Sequence, residues 1–223
     1  MDLSKSYEFF QPEKDQARIH IVGCGSVGST VAENLARCGV TKMTLWDFDK
    51  VEPHNIVNQM FDQNDVGKLK VEALKDILTD INPEISDQIE IKPEGWQGKL
   101  MSGYIFLCVD SIELRREIVE KHFDSPYVKA VFDFRTLLES AQHYAADWSD
   151  SKMKTDLLNS MQFSHDEAKD EHLYQRVELT LGVATTVRLI SALGVNNYIN
   201  FVKGNGIKKL ILMDGFQFDL MAF

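Results

Sequence analysis

The sequence predicts an α/β fold in which a mostly parallel sheet carries helices on both faces and is extended by antiparallel strands near the C-terminus. Three observations support this prediction. Strand and helix patterns alternate up to about residue 135, as in parallel sheets with right-handed crossovers. The continuous apolar run Tyr104–Val109 is expected of a central strand that is covered on both faces. Two apolar runs flank the turn dipeptide Asp214-Gly215, which predicts a closing hairpin.

The first unit of this fold lies between residues 18 and 49. The β-branched run Arg18–Val22 predicts a strand, and the turn Gly23–Gly28 has the pattern G-x-G-x-x-G. An apolar helical repeat follows, and Met43–Trp46 predicts a second strand that Asp47 closes. This order is that of a Rossmann-like βαβ unit, which binds a nucleotide.

Each glycine of the turn has a chemical reason. Gly23 lets the chain turn, Gly25 lets the backbone approach a phosphate, and Gly28 lets the helix pack closely on the sheet. The N–H groups at the helix start, which includes Ser26, then face the phosphates. Asp47 lies about 20 residues further on, where such units bind ribose hydroxyls. The alternative interpretation is that the glycines serve only tight helix–sheet packing.

The next elements follow from apolar periodicity and stop signals. A loop with one helical turn is expected after the second strand, because the segment is polar and broken by proline. Asn82-Pro83 ends a helix, and Ser111 can cap another. The predicted elements are a loop over 48–59, a helix over 71–81, a strand over 88–92, a helix over 112–121 and a strand over 128–134.

The rest of the chain predicts an extension of the same unit. We expect an antiparallel strand over 140–146, a mobile excursion over 147–171, a helix over 174–202 broken near 194–197, and strands over 208–213 and 216–221. The arm over 1–16 packs on its own domain or on a partner subunit, or is poorly ordered. These elements predict one domain over 1–223, made of the arm (1–16), a Rossmann-like core (17–136) and an extension (137–223) with antiparallel strands, the excursion and a covering helix.

The bulk composition excludes several functions. The net charge is −10 and the pI is about 5.1, which argues against a nucleic-acid surface. There is no signal peptide and no 18-residue apolar run, so we expect a cytoplasmic protein without a membrane interaction. The three cysteines form no C-x-x-C pair, so neither a structural zinc nor a disulfide framework is expected.

Beyond Asp47 the chain resembles one family, the adenylyltransferases that include ThiF, MoeB and the ubiquitin-activating enzymes. The resemblance covers residues 17–136 and is closest to the short ThiF-like proteins of phages and bacterial gene clusters. It rests on five motifs in the family's order and spacing: Gly23/Gly25/Gly28, Asp47/Asp49/Val51/Asn55, Asp65-Val66-Gly67 with Lys70, Ile81-Asn82-Pro83, and Val109-Asp110.

The resemblance implies a role for each matching residue. Asp47 would bind the ATP ribose, with Asp49 in support, and Asn55 would contact phosphate. Lys70 would neutralise phosphate charge in the transition state, and Asp110 would hold Mg²⁺ at the α-phosphate. The implied reaction is attack by a protein's C-terminal carboxylate on the α-phosphorus of ATP, which gives an acyl-adenylate and pyrophosphate. The implied partner is a ubiquitin-like or sulfur-carrier protein, and the enzyme would be a homodimer.

Some features depart from the family pattern. Asn58, in the predicted nucleotide-binding set, stands where the family usually has an arginine. The family's N-terminal arginine has no clear counterpart, so the missing cation would come from Arg115, Arg116 or Arg135. No cysteine follows Cys108, which argues against a catalytic cysteine.

Other interpretations remain open for the individual residues and for the whole chain. Asn55 is also a common turn or cap residue, and Asp110 followed by Ser111 is also a common helix entry. A second hypothesis is a catalytically degenerate member that binds a nucleotide or a partner protein. A third is an NAD-dependent oxidoreductase, because Asp47 also suits an NAD ribose.

Overall fold

The structure is a computed structural model that describes residues 1–162 and 183–223. One eight-stranded sheet has the order β3-β2-β1-β4-β5-β6-β7-β8. Its strands are β1 (Ile19–Val22), β2 (Met43–Trp46), β3 (Glu90–Lys92), β4 (Gly103–Leu107), β5 (Val128–Thr136), β6 (Ser140–Asp147), β7 (Leu210–Asp214) and β8 (Asp219–Ala222). The first five pair in parallel and the last three antiparallel, so the predicted fold class is confirmed.

Five described helices cover the two faces of the sheet: α1 (Ser26–Arg37), α2 (Lys70–Ile81), α3 (Ile112–His122), α4 (Ser151–Asn159) and α5 (Ala184–Val202). Side chains of α1, α2 and α5 pack with Ile21 and Phe106 in one core, and those of α3 and α4 pack with Ile105 and Leu107 in the other. β4 is therefore buried on both faces, as its apolar run predicts. Short 3₁₀ helices occupy Pro12–Lys14, Pro53–Val57, Gln63–Asp65 and Pro83–Ile85.

Helix α5 runs unbroken through Gly194, so the predicted break near 194–197 is wrong. A Cβ built at Gly194 would lie 2.2 Å from Cε1 of Phe134, so the glycine lets the helix approach the sheet closely. Its place in the sequence reflects packing against a ring on β5, which the local helical pattern does not reveal. Residues 174–182 of the predicted helix lie outside the described residues.

The segment over 147–171, predicted to be a mobile excursion, contains helix α4. The helical pattern of this segment was too weak to predict the helix. Asp150 caps this helix by accepting from the N–H groups of Lys152 and Met153. Leu157 and Met161 anchor it in the core beside α3. The remaining part of the excursion, 163–171, lies outside the described residues.

Two further predictions concern the ends of the chain. The arm over 1–16 packs on its own domain, because Phe10 is buried against Tyr198 and Asp15 accepts from Tyr104. The hairpin turn is longer than the predicted Asp214-Gly215 dipeptide, since residues 215–218 connect β7 and β8. The edge strand β8 is exposed along its whole length. Among the described residues no helix is both long and apolar enough to cross a membrane.

Candidate functional site

The carboxyl ends of three neighbouring strands meet at one edge of the parallel sheet. Val22 of β1 is in register with Trp46 of β2 and with Leu107 of β4. The glycine turn, Asp47 and the segment that leads to Asp110 therefore leave the sheet side by side. Ligands of open α/β sheets bind at this edge.

The three glycines of the turn meet different surroundings. Gly23 has φ +91°, and a Cβ there would lie 2.8 Å from the Cys108 carbonyl. A Cβ on Gly28 would lie 1.9 Å from the Gly23 oxygen. At Gly25, by contrast, the nearest atom to such a Cβ is Nε2 of Gln59 at 4.0 Å. Packing therefore requires Gly23 and Gly28, whereas the open space at Gly25 is where a phosphate could approach the backbone.

The start of α1 has the features of an anion site. Its N-cap residue is Gly25, so no side chain caps the helix, and its first turn contains no acidic residue. The N–H groups that begin at Ser26 are consequently available to an anion. Beside them, Oε1 of Gln59 is buried without a hydrogen-bond partner among the described atoms. Gln59 ends the predicted loop over 48–59, and the sequence did not assign it to the site.

Asp47 connects the glycine turn to the loop that follows β2. Its Oδ2 accepts from the Cys24 N–H at 2.6 Å, and its Oδ1 accepts from the Asp49 N–H at 2.8 Å. Burial raises the pKa of Asp47, and these two hydrogen bonds partly oppose that shift. A carboxylate offers about four acceptor positions, so both oxygens can still accept from ribose hydroxyls.

Lys70 and Asp49 are brought together by a short backbone pairing. The Val51 N–H donates to the Lys68 oxygen at 2.9 Å, and Lys50 forms a β-bridge with Leu69. Lys70 then begins α2, with Nζ 2.9 Å from Oδ2 of Asp49. The Lys70 side chain is 9% exposed and that of Asp49 is 51% exposed. A buried cation thus stands beside an open carboxylate.

The predicted phosphate contact Asn55 lies in the 3₁₀ helix after β2. It is buried, and its Oδ1 accepts from the Glu52 N–H at 2.9 Å. The side-chain oxygen of Asn55 therefore caps the 3₁₀ helix, as the cap interpretation predicts. Its NH₂ group is the donor that it could offer to a phosphate. Asn58 closes this 3₁₀ helix as its C-cap residue. The Met60 N–H donates to Ser29 Oγ at 3.2 Å and ties the loop to α1.

Asp110 is exposed at the end of the segment after β4. Ser111 caps α3 by accepting from the Leu114 N–H at 3.1 Å, so the helix entry does not occupy Asp110. Within residues 1–162 and 183–223, no hydrogen bond or ion pair joins Asp110 to another residue, Lys70 included. The described residues contain no group of three or more metal-binding side chains. Mg²⁺ is commonly held by one or two carboxylates together with substrate phosphates, and Asp110 fits that mode.

The three arginines that could replace the missing cation make contacts with protein groups. Arg115 is buried and pairs with Asp133, which is fully buried on β5. Arg135 also pairs with Asp133, with Nε 2.8 Å from Oδ2. Arg116 donates to the Met161 oxygen at 3.4 Å. The sequence assigned no role to Asp133, although a charged residue inside an apolar strand pattern was a signal.

Cys24 lies inside the glycine turn and is fully buried. Burial and then the nearby Asp47 carboxylate raise the pKa of its thiol far above the ordinary value. The group is a neutral thiol at pH 7, whereas a nucleophile requires the thiolate.

The site contains the uncapped start of α1, the Asp47 carboxylate at the next strand end and the buried Lys70 ammonium. These features are typical of one class, the Rossmann-like domains that bind nucleotides at the edge of the sheet. The chain belongs to the ThiF family, whose family model matches residues 7–222.

Curated relatives match parts of the chain. Ubiquitin-like modifier-activating enzyme 5 of Caenorhabditis briggsae is 38% identical over 135 residues, which are 53% of this chain and 30% of that protein. The enzyme of the same name from Xenopus laevis is 42% identical over 71 residues, 32% of this chain and 18% of that protein. The chain therefore spans less than a third of the length of these two relatives.

Solved structures share the fold at low identity. E. coli MccB with MccA-N7isoASN has a TM-score of 0.75 at 18% identity and matches 95% of this chain and 66% of that one. E. coli MccB with ATP has a TM-score of 0.71 at 19% identity, over 95% of this chain and 65% of that one. PaaA has a TM-score of 0.70 at 19% identity, and the match covers 100% of this chain and 68% of PaaA.

Proposed function

We propose that the protein is an ATP- and Mg²⁺-dependent adenylyltransferase that activates the C-terminal carboxylate of a small ubiquitin-like or sulfur-carrier protein. It would act as a homodimer. One observation carries the proposal: the open, uncapped start of α1 at Gly25 stands beside Asp47 and near the buried Lys70–Asp49 pair. Family membership and the relatives named as modifier-activating enzymes favour this activity, and E. coli MccB was solved with ATP.

The chain's own residues would act by positioning and by neutralising charge. Asp47 would hold the ribose, and the N–H groups after Gly25 would hold phosphate. Asn55 would donate to a phosphate oxygen, and Lys70 would offset the negative charge that develops at the α-phosphate. Mg²⁺, held by Asp110, would supply further charge neutralisation. No protein nucleophile is needed, because the carrier's carboxylate attacks the α-phosphorus directly and displaces pyrophosphate to give the acyl-adenylate.

Thermal unfolding with ATP and Mg²⁺, with AMP and with NAD⁺ tests the nucleotide. A ligand at a hundredfold excess over its Kd stabilises the folded state by about 3 kcal/mol. We expect that stabilisation with ATP and Mg²⁺, and a much smaller one in Asp110→Ala. Asp124→Ala is the matched control, because it removes another exposed carboxylate beyond the opposite end of α3. Stabilisation by NAD⁺ alone would replace this proposal with the oxidoreductase hypothesis.

Exchange of labelled pyrophosphate into ATP in the presence of candidate carriers tests the reaction. Exchange that depends on the carrier's free C-terminal carboxylate supports adenylation. ATP binding without exchange would favour the second candidate, a family member that binds nucleotide without catalysis. One observation favours this second candidate: Asn58 stands where the family usually has an arginine, and Arg115 and Arg135 pair with Asp133.

A further inference from the structure

A buried carboxylate anchors two arginines that reach different parts of the structure. Asp133 is fully buried and pairs with the guanidinium groups of Arg115 from α3 and Arg135 from its own strand. Burial opposes ionisation of Asp133, but the two cations outweigh it and hold its pKa below the ordinary value. Asp133 is therefore a carboxylate at neutral pH and fixes both arginines.

The two arginines differ in what else they hold. Arg115 donates to the carbonyl oxygen of Val109 and, at 2.6 Å, to that of Phe134. Arg135 instead donates to the carbonyl of Ser160 at 2.9 Å and to its hydroxyl at 2.8 Å, at the end of α4. Arg115 thus contacts the residue immediately before Asp110, and Arg135 holds a distant helix end.

Beyond β4, Cys108 and Val109 pack partly against the two cores, but few backbone hydrogen bonds among the described residues hold the segment that Arg115 contacts. Strand β4 ends at Leu107. Beyond it, the pairing with β1 continues through a hydrogen bond from the Cys108 N–H to the Val22 oxygen at 2.8 Å. The peptide between Cys108 and Val109 also forms the wall against which Gly23 packs at 2.8–2.9 Å. A rotation of this peptide would therefore move Asp110 and would also disturb the glycine turn.

We propose that Arg115 is a positioning residue: anchored by Asp133, it fixes the Val109 carbonyl and so holds the Asp110 carboxylate in place for the metal beside the glycine turn. This inference rests on the proposed function, because it assigns Arg115 a task in the same site. The planar guanidinium fork suits this task, since it reaches Asp133, Phe134 and Val109 from one group.

The test compares Arg115→Lys with Arg135→Lys in the full chain. Both substitutions keep the positive charge beside Asp133, and only the first removes the fork that holds Val109. The readout is the Mg²⁺ concentration that gives half of the ATP-induced thermal stabilisation, measured relative to each variant's own unfolding temperature. AMP without Mg²⁺ serves as the second ligand, because its binding needs the ribose and phosphate contacts but not Asp110.

We expect Arg115→Lys to raise the Mg²⁺ midpoint by about tenfold or more, the usual effect of losing a group that orients a metal ligand. Arg135→Lys should shift the Mg²⁺ midpoint by less than about twofold relative to wild type. AMP affinity should be alike in both variants. Equal Mg²⁺ midpoints in the two variants would overturn the positioning role, as would an equal loss of AMP and ATP binding in Arg115→Lys, which indicates general structural damage.

A second variant keeps the test decisive if Arg115→Lys does not fold. Asp133→Asn leaves Arg115 in place but removes the charge that anchors it, and we expect the same rise in the Mg²⁺ midpoint. Failure of wild type to bind ATP would refute the proposed function and this inference together. Wild-type binding that depends on Mg²⁺ and Asp110, with no effect of Arg115→Lys or Asp133→Asn, would refute this inference alone.

Discussion

Lys70 and Asp49 are joined twice, through a side-chain contact of 2.9 Å from Nζ to Oδ2 and through a backbone hydrogen bond of 2.9 Å from the Lys70 N–H to the Asp49 oxygen. The pair links the loop after β2 to the start of α2. Because the Lys70 side chain is mostly buried and Asp49 is open, an incoming phosphate can compete with the carboxylate for the ammonium. Asp49 would then keep Lys70 extended towards the site before ATP arrives.

Lys70→Ala should reduce pyrophosphate exchange by about a hundredfold, because one charged donor aimed at developing charge contributes roughly 3 kcal/mol. Exchange kinetics at saturating ATP measure this effect. The matched control is Lys68→Ala, which removes another lysine, paired with Asp65 at 2.9 Å but more exposed. The two variants should differ clearly in rate. Similar rates would exclude a catalytic task for Lys70.

Asp49→Ala should cost only about 1 kcal/mol of unfolding free energy, because Asp49 is half exposed and water screens its charge. Urea unfolding measures this change. A loss of several kcal/mol would contradict it and would mean that the Lys70–Asp49 pair is chiefly structural.

The glycines of the turn should separate binding from stability. Gly25→Ala should cost at most about 1 kcal/mol of unfolding free energy, because its Cβ would meet only Gln59 Nε2 at 4.0 Å. Under the proposed function it should nevertheless abolish most ATP-induced stabilisation, because its methyl group would stand where the phosphate is expected to approach. Gly28→Ala should unfold the protein or destabilise it strongly, since its Cβ would lie 1.9 Å from the Gly23 oxygen. Unimpaired ATP binding in a folded Gly25→Ala would contradict this assignment.

Acid should destabilise the fold through His143, which is fully buried on β6 and contacts Asn197 of α5. Asn197 accepts from the Lys208 N–H through Oδ1, so its NH₂ group faces Nε2 of His143 at 3.2 Å. Nε2 therefore accepts, and Nδ1 donates to the Asp133 carbonyl at 3.1 Å. Protonation of Nε2 would place its N–H against the Asn197 NH₂ group, so that two donors face each other. Burial lowers the pKa of His143 to about 4.

The sign and the pH range of this effect follow from that lowered pKa. The neutral ring stabilises the fold above the unfolded pKa of about 6.5, and this contribution is lost as pH falls towards 4, because only the unfolded chain takes up the proton. The loss is about 3 kcal/mol. Urea unfolding at pH 7, 5.5 and 4 measures it. His143→Phe should lose about 3 kcal/mol less than wild type over this range, and parallel pH profiles would refute the assignment.

Gly194→Ala should destabilise the protein by about 1–3 kcal/mol although alanine favours helices, because the added methyl would overlap the Phe134 ring. Thermal or urea unfolding measures this cost. Asn196→Ala, at an exposed position of the same helix, is the control and should be neutral or slightly stabilising. A stabilised Gly194→Ala would mean that α5 can move away from the sheet.

The regular part of the fold was predictable because its signals are local. The strand Met43–Trp46 and the helix that Asn82-Pro83 ends appear in the structure with the predicted boundaries or within one residue of them. The sheet edge at which Asp47 and Asp110 lie also follows from the alternation of strands and helices. Such features depend on periodicity and stop residues, which a single sequence displays.

The remaining features depend on contacts between distant residues. Gly194 resembles a helix breaker until the Phe134 ring beneath it is known, and Asp150 marks a helix only once Leu157 has a core to enter. Arg115 resembled a spare cation for phosphate, yet it is committed to Asp133. No local pattern reveals these pairings, since their partners lie 18 or more residues away or on another element.

The exposed edge strand β8 has a consequence for the behaviour of the protein in concentrated solution. Leu220 and Met221 are more than half exposed, and Phe218 beside the strand is 91% exposed. Unpaired strand edges with apolar side chains favour pairing between molecules, and a net charge of −10 at pH 7 keeps molecules apart. That repulsion should vanish near pH 5.1, the isoelectric point that the sequence predicts. Colloidal stability should therefore be lowest there, and storage above neutral pH at low ionic strength should keep the protein dispersed.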